Sequence, residues 1–358
     1  MQDVCIIGAG PAGSVAAIVL ARGGWDVTLV EQQRFPRDKV CGECISCLGI
    51  ELLHRLGLAS AVLPLRPALL RESVLVSVSG EQTEFALPRS MWGVSRRNLD
   101  HVLLERARQV GAKVLQPARV EALHDDQLTL RDLLTNRLDT LRPRHVFLAD
   151  GKGALGGNRP PPTGDFGVKA HFIDVEDVAD AITLFGLNGH YIGLAPIEEA
   201  RWNVAMSVPS ARLNAFRGRL DELFEHLKQE NLGLARRFRR ATRVSDWLVA
   251  PLPRFAVQRR WPANVIPIGN AAAALEPIGG EGIGLAMRSA ELAATALLEG
   301  RPIESLQRSF NRLWRTRRGA CRLIAKALGR PAVAESMIVL TRANEHLAKT
   351  AMAFMGKS

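Results

Sequence analysis

Residues 3–31 read DVCIIGAGPAGSVAAIVLARGGWDVTLVE, and the order of residue types inside them decides the fold. The apolar run up to Gly8 reads as a buried strand. A loop, Gly8-Ala9-Gly10-Pro11-Ala12-Gly13, leads into an apolar stretch of helix length, then a second strand from Asp26 to Val30, closed by Glu31. Gly8 lets the chain turn tightly off the strand, Gly10 has no side chain to keep a pyrophosphate from the backbone, and Gly13 lets the helix lie close to the strand. The unpaired N–H groups at the helix start carry partial positive charge toward phosphates. Glu31 stands where a carboxylate accepts hydrogen bonds from an adenosine ribose, and it argues against a 2′-phosphate there. Gly8, Gly10, Pro11, Ala12, Gly13, Glu31 and the adjoining Gln32 are therefore candidate contacts of a dinucleotide. This stretch alone does not separate NAD from FAD.

The rest of the 358-residue chain sets bounds on that reading. The length suits two domains, or one large α/β body with an inserted layer. No apolar run reaches eighteen residues, so no membrane span is expected. The first residues enter a strand without a basic segment or cleavage site, so no secretion signal is expected. Five cysteines, an odd number with four before residue 48, suit a reducing cytoplasm better than a disulfide framework. The net charge of +11 is concentrated at the end, where the last 58 residues hold twelve Lys/Arg against three Glu. A second basic cluster is Arg236, Arg237, Arg239, Arg240 and Arg243. Such charge speaks to partners, not to fold.

Further along, residues 71–78 and 82–87 alternate around a Ser-Gly-Glu turn and read as a hairpin. Residues 92–95 read as short and extended. Residues 96–110 read as a helix with Leu99, Val102, Leu103 and Ala107 on one face. Strands are expected at 113–116, 119–124, 127–130 and 145–149, the last ending in Asp150-Gly151. After a rigid break at 160–164 come antiparallel strands at 166–174, 181–186, 190–194 and 203–208. A helical patch follows at 219–240. Then the chain returns to a buried strand, 265–268, a glycine loop and a helix, 283–298. Two helical stretches, 303–328 and 332–355, close it. The expected class is α/β, with a Rossmann-like nucleotide domain (1–70, 90–160, 260–300), a β-sheet substrate domain (71–89, 161–259) and a helical C-terminal cap (301–358).

Two later segments bear on the cofactor, VFLADG at 146–151 and VIPIGNAAAALEPIGGEGIGLAMRSAELAA at 265–294. With the opening loop they resemble the FAD-dependent oxidoreductases of the aromatic hydroxylase type, most closely the geranylgeranyl reductase branch, over roughly residues 4–298. The resemblance implies FAD. It places Asp150 near the pyrophosphate and the NAD(P)H path, Gly269 and Asn270 on the ribityl chain, Arg97 on FAD and Val120 against adenine. Asn270 departs from the family's aspartate; it still offers hydrogen bonds but no charge. At Pro277–Gly284, four glycines let N–H groups approach a flavin edge, and the helix beginning at Gly282 and Ile283 points its positive end at the flavin N1–C2 carbonyl, which favours reduction. A second GxGxxG, 151–156, is set aside, because the prolines at 160–162 forbid the helix it needs. NAD(P)H would then bind transiently in a groove, as the resemblance implies.

Cys41, Cys44 and Cys47 have a C-x2-C-x2-C spacing like part of a ferredoxin site, but the fourth ligand and its proline are missing. The resemblance gives Cys41 a catalytic place facing flavin and substrate; Cys44 and Cys47 read as small core residues. The halogenase Trp-x-Trp-x-Ile-Pro signature is absent. HYIGLAPI, 190–197, resembles the family strand over an apolar substrate cavity. The expected reaction is NAD(P)H-dependent reduction of flavin, followed by reduction of a carbon–carbon double bond in a lipophilic, isoprenoid-like substrate. Hydroxylation of an aromatic or polyketide ring, or electron transfer with an acidic protein partner at the Arg236–Arg243 cluster, are the alternatives. The location expected is cytoplasmic, peripheral to a membrane if the basic C-terminal helices lie on anionic lipid. No metal is expected, and no nucleic-acid partner, for want of a motif or aromatic platform.

Overall fold

The computed structural model describes residues 2–124, 127–151, 155, 164–258, 261, 264–344 and 350. Its first sheet is parallel, ordered Val265–Pro267, His145–Leu148, Val4–Ile7, Val27–Val30, Lys113–Leu115. All four residues of the central strand are buried. That explains why it reads as a continuous apolar run, since a parallel sheet is covered on both faces. The helices Pro11–Arg22, Arg96–Gln109 and Gly282–Leu298 cover one face, with Val15, Ile18, Leu99, Leu103, Met287 and Ala290 in one core, and a small antiparallel sheet covers the other, with Cys5, Ile7, Val120, Leu128 and Leu130 in a second. Three segments far apart in the chain thus meet as neighbouring strands, as expected.

The second sheet has the strand order Thr242–Arg243, Phe166–Ile173, Trp202–Val208, His190–Pro196, Ala181–Leu187, Ala68–Val76, Gln82–Gly93, Cys44–Ile45. Leu248–Pro251 also pairs with Phe166–Ile173. The anticipated hairpin is present, but its second strand runs unbroken to Gly93 and absorbs the short extended piece read at 92–95. Ala181–Leu187 joins Ala68–Val76 in parallel, so the hairpin and the later meander form one sheet. The side chains alternate between two cores. Ile192 and Leu194 face the aromatic set Phe172, Phe224 and Phe238 under the helices Leu220–Glu230 and Leu232–Arg237. Tyr191 and Ala195 face Ile278, Cys321, Leu328 and Ile338. The expected single helical patch is two helices because Asn231 caps the second, its side chain accepting from Leu234 N at 2.9 Å. A third, small antiparallel sheet is Ala118–His124, Gln127–Asp132 and Leu138–Leu141.

The C-terminal helices are Ile303–Leu328 and Pro331–Ala343. The expected continuation to 355 lies largely outside the described residues, as do most of the second GxGxxG and the proline break. No single described helix is long and apolar enough to cross a membrane; one pair, Cys47–Arg55 with Ala59–Leu65, passes together but is bent by 111°. Its Leu52, Leu53 and Val62 are buried in the first core.

Candidate active site

The glycine loop is built as its residue types require. Gly8 has φ +100°, and a Cβ there would stand 2.6 Å from the Ala149 carbonyl oxygen; one on Gly13 would stand 1.8 Å from the Gly8 oxygen. A Cβ on Gly10 would meet only the Arg96 guanidinium, at 3.7 Å, so the helix start faces an open space. Pro11, Ala12 and Gly13 are buried behind it. Glu31 accepts from Ala9 N at 2.9 Å and Gln33 N at 2.8 Å, which holds its carboxylate at the rim.

The space is a groove of about 1080 Å3, whose walls include Gly8, Gly10, Glu31, Gln32, Val120 and Asp150. Six sequence-predicted cofactor residues therefore share one surface. Arg37 and Lys39 also line it. The Arg37 Nε is buried with no hydrogen-bond partner among the described residues, and burial lowers the affinity of this guanidinium for its proton. Burial, with Arg96 and Arg37 close by, brings Lys39 from 10.5 to about 8. An anion placed here would relieve both groups. The open helix start, the orphaned Nε and the crowded cations fit the pyrophosphate of FAD.

Arg97, read from the sequence as the FAD arginine, is 47 % exposed and reaches Asp38 at 3.5 Å. It is Arg96 that turns inward. Arg96 Nε and Nη2 donate to Asp100 at 2.7 and 2.6 Å, Arg37 pairs with the same carboxylate at 3.1 Å, and the guanidinium reaches the Cys41 thiol. Burial works against the Arg96 charge, but Asp100 more than offsets it and the guanidinium holds its proton more tightly than usual. The sequence carried a signal for this: 96, 99, 100, 103 and 107 form the buried helix face, and 97 is off it.

Gly269 has φ +58°, and a Cβ there would stand 3.0 Å from that of Ala12, so its segment abuts the glycine loop. Its N–H donates to Ser289 Oγ at 2.8 Å. Asn270 is exposed and is not part of the groove wall. A Cβ on Gly282 would meet nothing within 4 Å, so this helix start is open, whereas the Ile283 side chain is buried in the core and offers a cofactor only its backbone.

Beyond the groove, on the far side of Val40, is an apolar cavity of about 100 Å3. Cys41 and Gly42 form one side, Ile278 and Gly280 another, and Leu184 and Tyr191 of the long sheet a third. Tyr191, the chain's one tyrosine, donates to Glu276 Oε1 at 3.2 Å. Burial and the neighbouring carboxylate raise the Tyr191 pKa well above normal. Burial also raises that of Glu276, against the hydrogen bond from Tyr191. The Tyr191 hydroxyl, with Glu276 behind it, thus stands at the cavity edge. Cys41 is half-buried, whereas Cys44 and Cys47 are 7 % and 6 % exposed. Among the described residues the three sulfurs do not converge as a metal cage.

Sequence reading missed the device that holds the Cys41 loop. Glu43 is fully buried with φ +58°, a strained backbone for a non-glycine residue. Its carboxylate accepts from Arg96 N at 2.7 Å, from Lys169 Nζ at 2.5 Å and shares a 2.6 Å hydrogen bond with His171 Nε2. Burial would raise its pKa, but His171 and Lys169 hold it below the usual range. Asp38, Glu43 and His171 have the spacing of a metal site; here the Lys169 ammonium is the cation among them, 3.7 Å from Asp38. Glu198 makes a second tie. It accepts from Ser95 N and Asn98 Nδ2 at 2.8 and 2.7 Å and from Ser95 Oγ, at the start of the Arg96 helix, where negative charge is favoured. The Arg236–Arg243 cluster is largely paired within the fold: Arg237 with Asp177, Arg239 and Arg240 with Glu176, Arg243 with Asp221. Three carboxylates thus offset part of the charge of the five arginines expected to meet an acidic partner.

A family model described as FAD binding domain matches residues 1–301. Menaquinone reductase of Mycobacterium tuberculosis is 28% identical over 85% of this chain and 78% of its own length. Kynurenine 3-monooxygenase of Stenotrophomonas maltophilia is 27% identical over 86% and 74%. The flavin-dependent brominase Bmp2 superposes with a TM-score of 0.81 at 20% identity, over 99% of this chain and 93% of the brominase; at that identity the likeness is one of fold.

Proposed function

We propose a reaction for this chain, which belongs to the FAD binding domain family and is an FAD-dependent oxidoreductase: NAD(P)H-dependent reduction of a carbon–carbon double bond in a lipophilic, isoprenoid-like substrate. The observation that carries it is the apolar cavity with a thiol on one side and the hydrogen-bonded Tyr191–Glu276 pair on the other. Bound FAD supplies the hydride chemistry, accepting two electrons from a nicotinamide and giving them to a second substrate. The glycine loop, Glu31, Arg37 and Arg96 would hold its AMP and pyrophosphate end. Gly282 would meet the flavin with backbone N–H groups, and Cys41 would stand against its substrate side. Saturating a double bond needs one hydride and one proton. Tyr191 is placed to give the proton to carbon, with Glu276 hydrogen-bonded behind it at 3.2 Å and burial favouring the neutral form of both groups. The apolar walls suit a lipophilic substrate.

Hydroxylation of an aromatic ring is the second reading, favoured by the similarity to kynurenine 3-monooxygenase. One experiment separates them. The holoenzyme is reduced with NADH or NADPH and exposed to air with candidate substrates while oxygen and flavin absorbance are followed. The reductase reading expects reduced flavin that persists in air and is reoxidised by an isoprenoid acceptor. Oxygen consumption tightly coupled to substrate would sink it.

A further inference from the structure

The helices Ile303–Leu328 and Pro331–Ala343 form a hairpin over the sheet face that carries Tyr191. Its inner side is packed, with Cys321, Leu328, Ala334 and Ile338 buried alongside Ile278. Gly189 N donates to Gly329 O at 2.8 Å. Arg342 donates through Nε to the Gln82 carbonyl at 2.8 Å and pairs with Glu81 at 2.7 Å. The hairpin is thus a fixed cap, and its outer surface needs its own account.

That surface combines two chemistries. Along the first helix Arg308, Arg312, Arg315, Arg322 and Lys326 are exposed at spacings that keep them on one side, over roughly 27 Å. Among the described residues none of the five is in an ion pair. Between 303 and 343 nine basic residues stand against two acidic ones. Four of the eleven exposed large hydrophobic side chains among the described residues also lie in this hairpin: Leu323, Val333, Val339 and Leu340. A solvated basic face has no use for exposed Val and Leu. Cations with apolar side chains beside them match the boundary of an anionic bilayer, phosphates outside and acyl chains within. The apolar cavity lined by Tyr191 and Ile278, on which the hairpin packs, is about 100 Å3, smaller than the ~300–1,000 Å3 of sites that enclose a small molecule. A substrate with an isoprenoid tail would have most of that tail outside, and lipid is the medium that favours it.

We propose that the outer face of this hairpin docks the protein on an anionic lipid bilayer, with the arginines on headgroups and Leu323, Val339 and Leu340 in the acyl boundary. The proposal rests on the lipophilic-substrate reading. The test sediments the FAD-loaded full chain with vesicles of phosphatidylcholine, alone or mixed with phosphatidylglycerol. The wild type is expected to sediment with the mixed vesicles only. Val339→Glu with Leu340→Glu, and separately Arg315→Glu with Arg322→Glu, are expected to weaken binding at least about tenfold at unchanged flavin content. A wild type that stays in the supernatant with mixed vesicles at low salt overturns the proposal. So does loss in the arginine pair alone, which would describe a surface for acidic macromolecules in general. Turnover of a short-chain isoprenoid acceptor without vesicles reads the substrate class separately: activity there without vesicle binding removes only the docking, and vesicle binding without activity removes only the substrate.

Discussion

At the residue scale, the choice between two adjacent arginines shows how side-chain direction, not residue type, assigns a role. Arg97 is exposed on a surface pair with Asp38, and such pairs contribute about 0–1 kcal/mol. Arg97→Ala is therefore expected to unfold close to wild type and keep its flavin. Arg96→Ala leaves the buried Asp100 with Arg37 alone; losing one partner of a buried pair costs about 3–5 kcal/mol. Its flavin content should also fall, because the guanidinium beside Gly10 is gone. Thermal unfolding of the apoproteins and flavin absorbance of the purified ones read the two effects separately. Full flavin retention in Arg96→Ala would remove Arg96 from the cofactor site. Gly8 and Gly13 were legible in the sequence because their roles are backbone roles fixed by local spacing, and Glu31 because the intervening helix and strand fix where its carboxylate returns to the glycine turn. Glu43, Lys169 and His171 were not, since their partners lie more than a hundred residues away.

At the element scale, the helices Cys47–Arg55 and Gly282–Leu298 approach at two glycines. A Cβ on Gly284 would stand 2.5 Å from Ser46 Oγ and 3.0 Å from Gly49 N, and one on Gly49 would stand 2.6 Å from Ile45 Cγ2. Gly284→Ala gains helix propensity, yet it is expected to cost about 1–3 kcal/mol by overpacking and to displace the segment that follows the Cys41 loop. Gly319→Ala, in the helix Ile303–Leu328 with nothing within 4 Å of its Cβ, should instead stabilise by about 0.4–1 kcal/mol. Urea denaturation of the pair gives the opposite signs; a stabilised Gly284→Ala would show the helix contact to be looser than drawn. The glycine loop before this helix was read correctly as a feature, but its packing partner was not. A glycine in sequence says that something approaches closely, and never what.

At the scale of the whole molecule, the Cys41 loop and the second sheet are tied through one buried carboxylate, Glu43. Glu43→Gln keeps the shape and removes the charge, leaving Lys169 buried with a carbonyl at 3.4 Å and Asp38 at 3.7 Å. The expected loss is about 3–5 kcal/mol at neutral pH. The pH dependence follows from the lowered pKa of Glu43. The folded state binds its proton less readily than the unfolded chain, so the contribution is fully present above the ordinary value of 4.5 and is lost as pH falls through the lower folded value. The stability gap between wild type and variant should be flat from neutral pH to about 5 and narrow below it. A gap that widens on acidification would mean that Glu43 is protonated in the fold.

The sequence by itself determined the α/β class, the glycine turn, the identity of the cofactor family and the return of the chain to its first sheet at Val265. Each of these is encoded by local period, by glycine placement or by short motifs. Only the tertiary structure decided which of Arg96 and Arg97 turns inward beside Gly10, that Glu43 joins the Cys41 loop to the second sheet, that Tyr191 is hydrogen-bonded to Glu276 at an apolar cavity, and that arginines of the 236–243 cluster pair with Asp177, Glu176 and Asp221. These depend on contacts between residues far apart in the chain, where burial strips water from charged groups and makes the identity of the partner decide the outcome. The basic C-terminal hairpin divides the same way: its amphipathic period was written in the sequence, but that its inner face packs on Tyr191 and Ile278 and that Val339 and Leu340 are exposed on it together with arginines that have no ion pair among the described residues is a property of the fold.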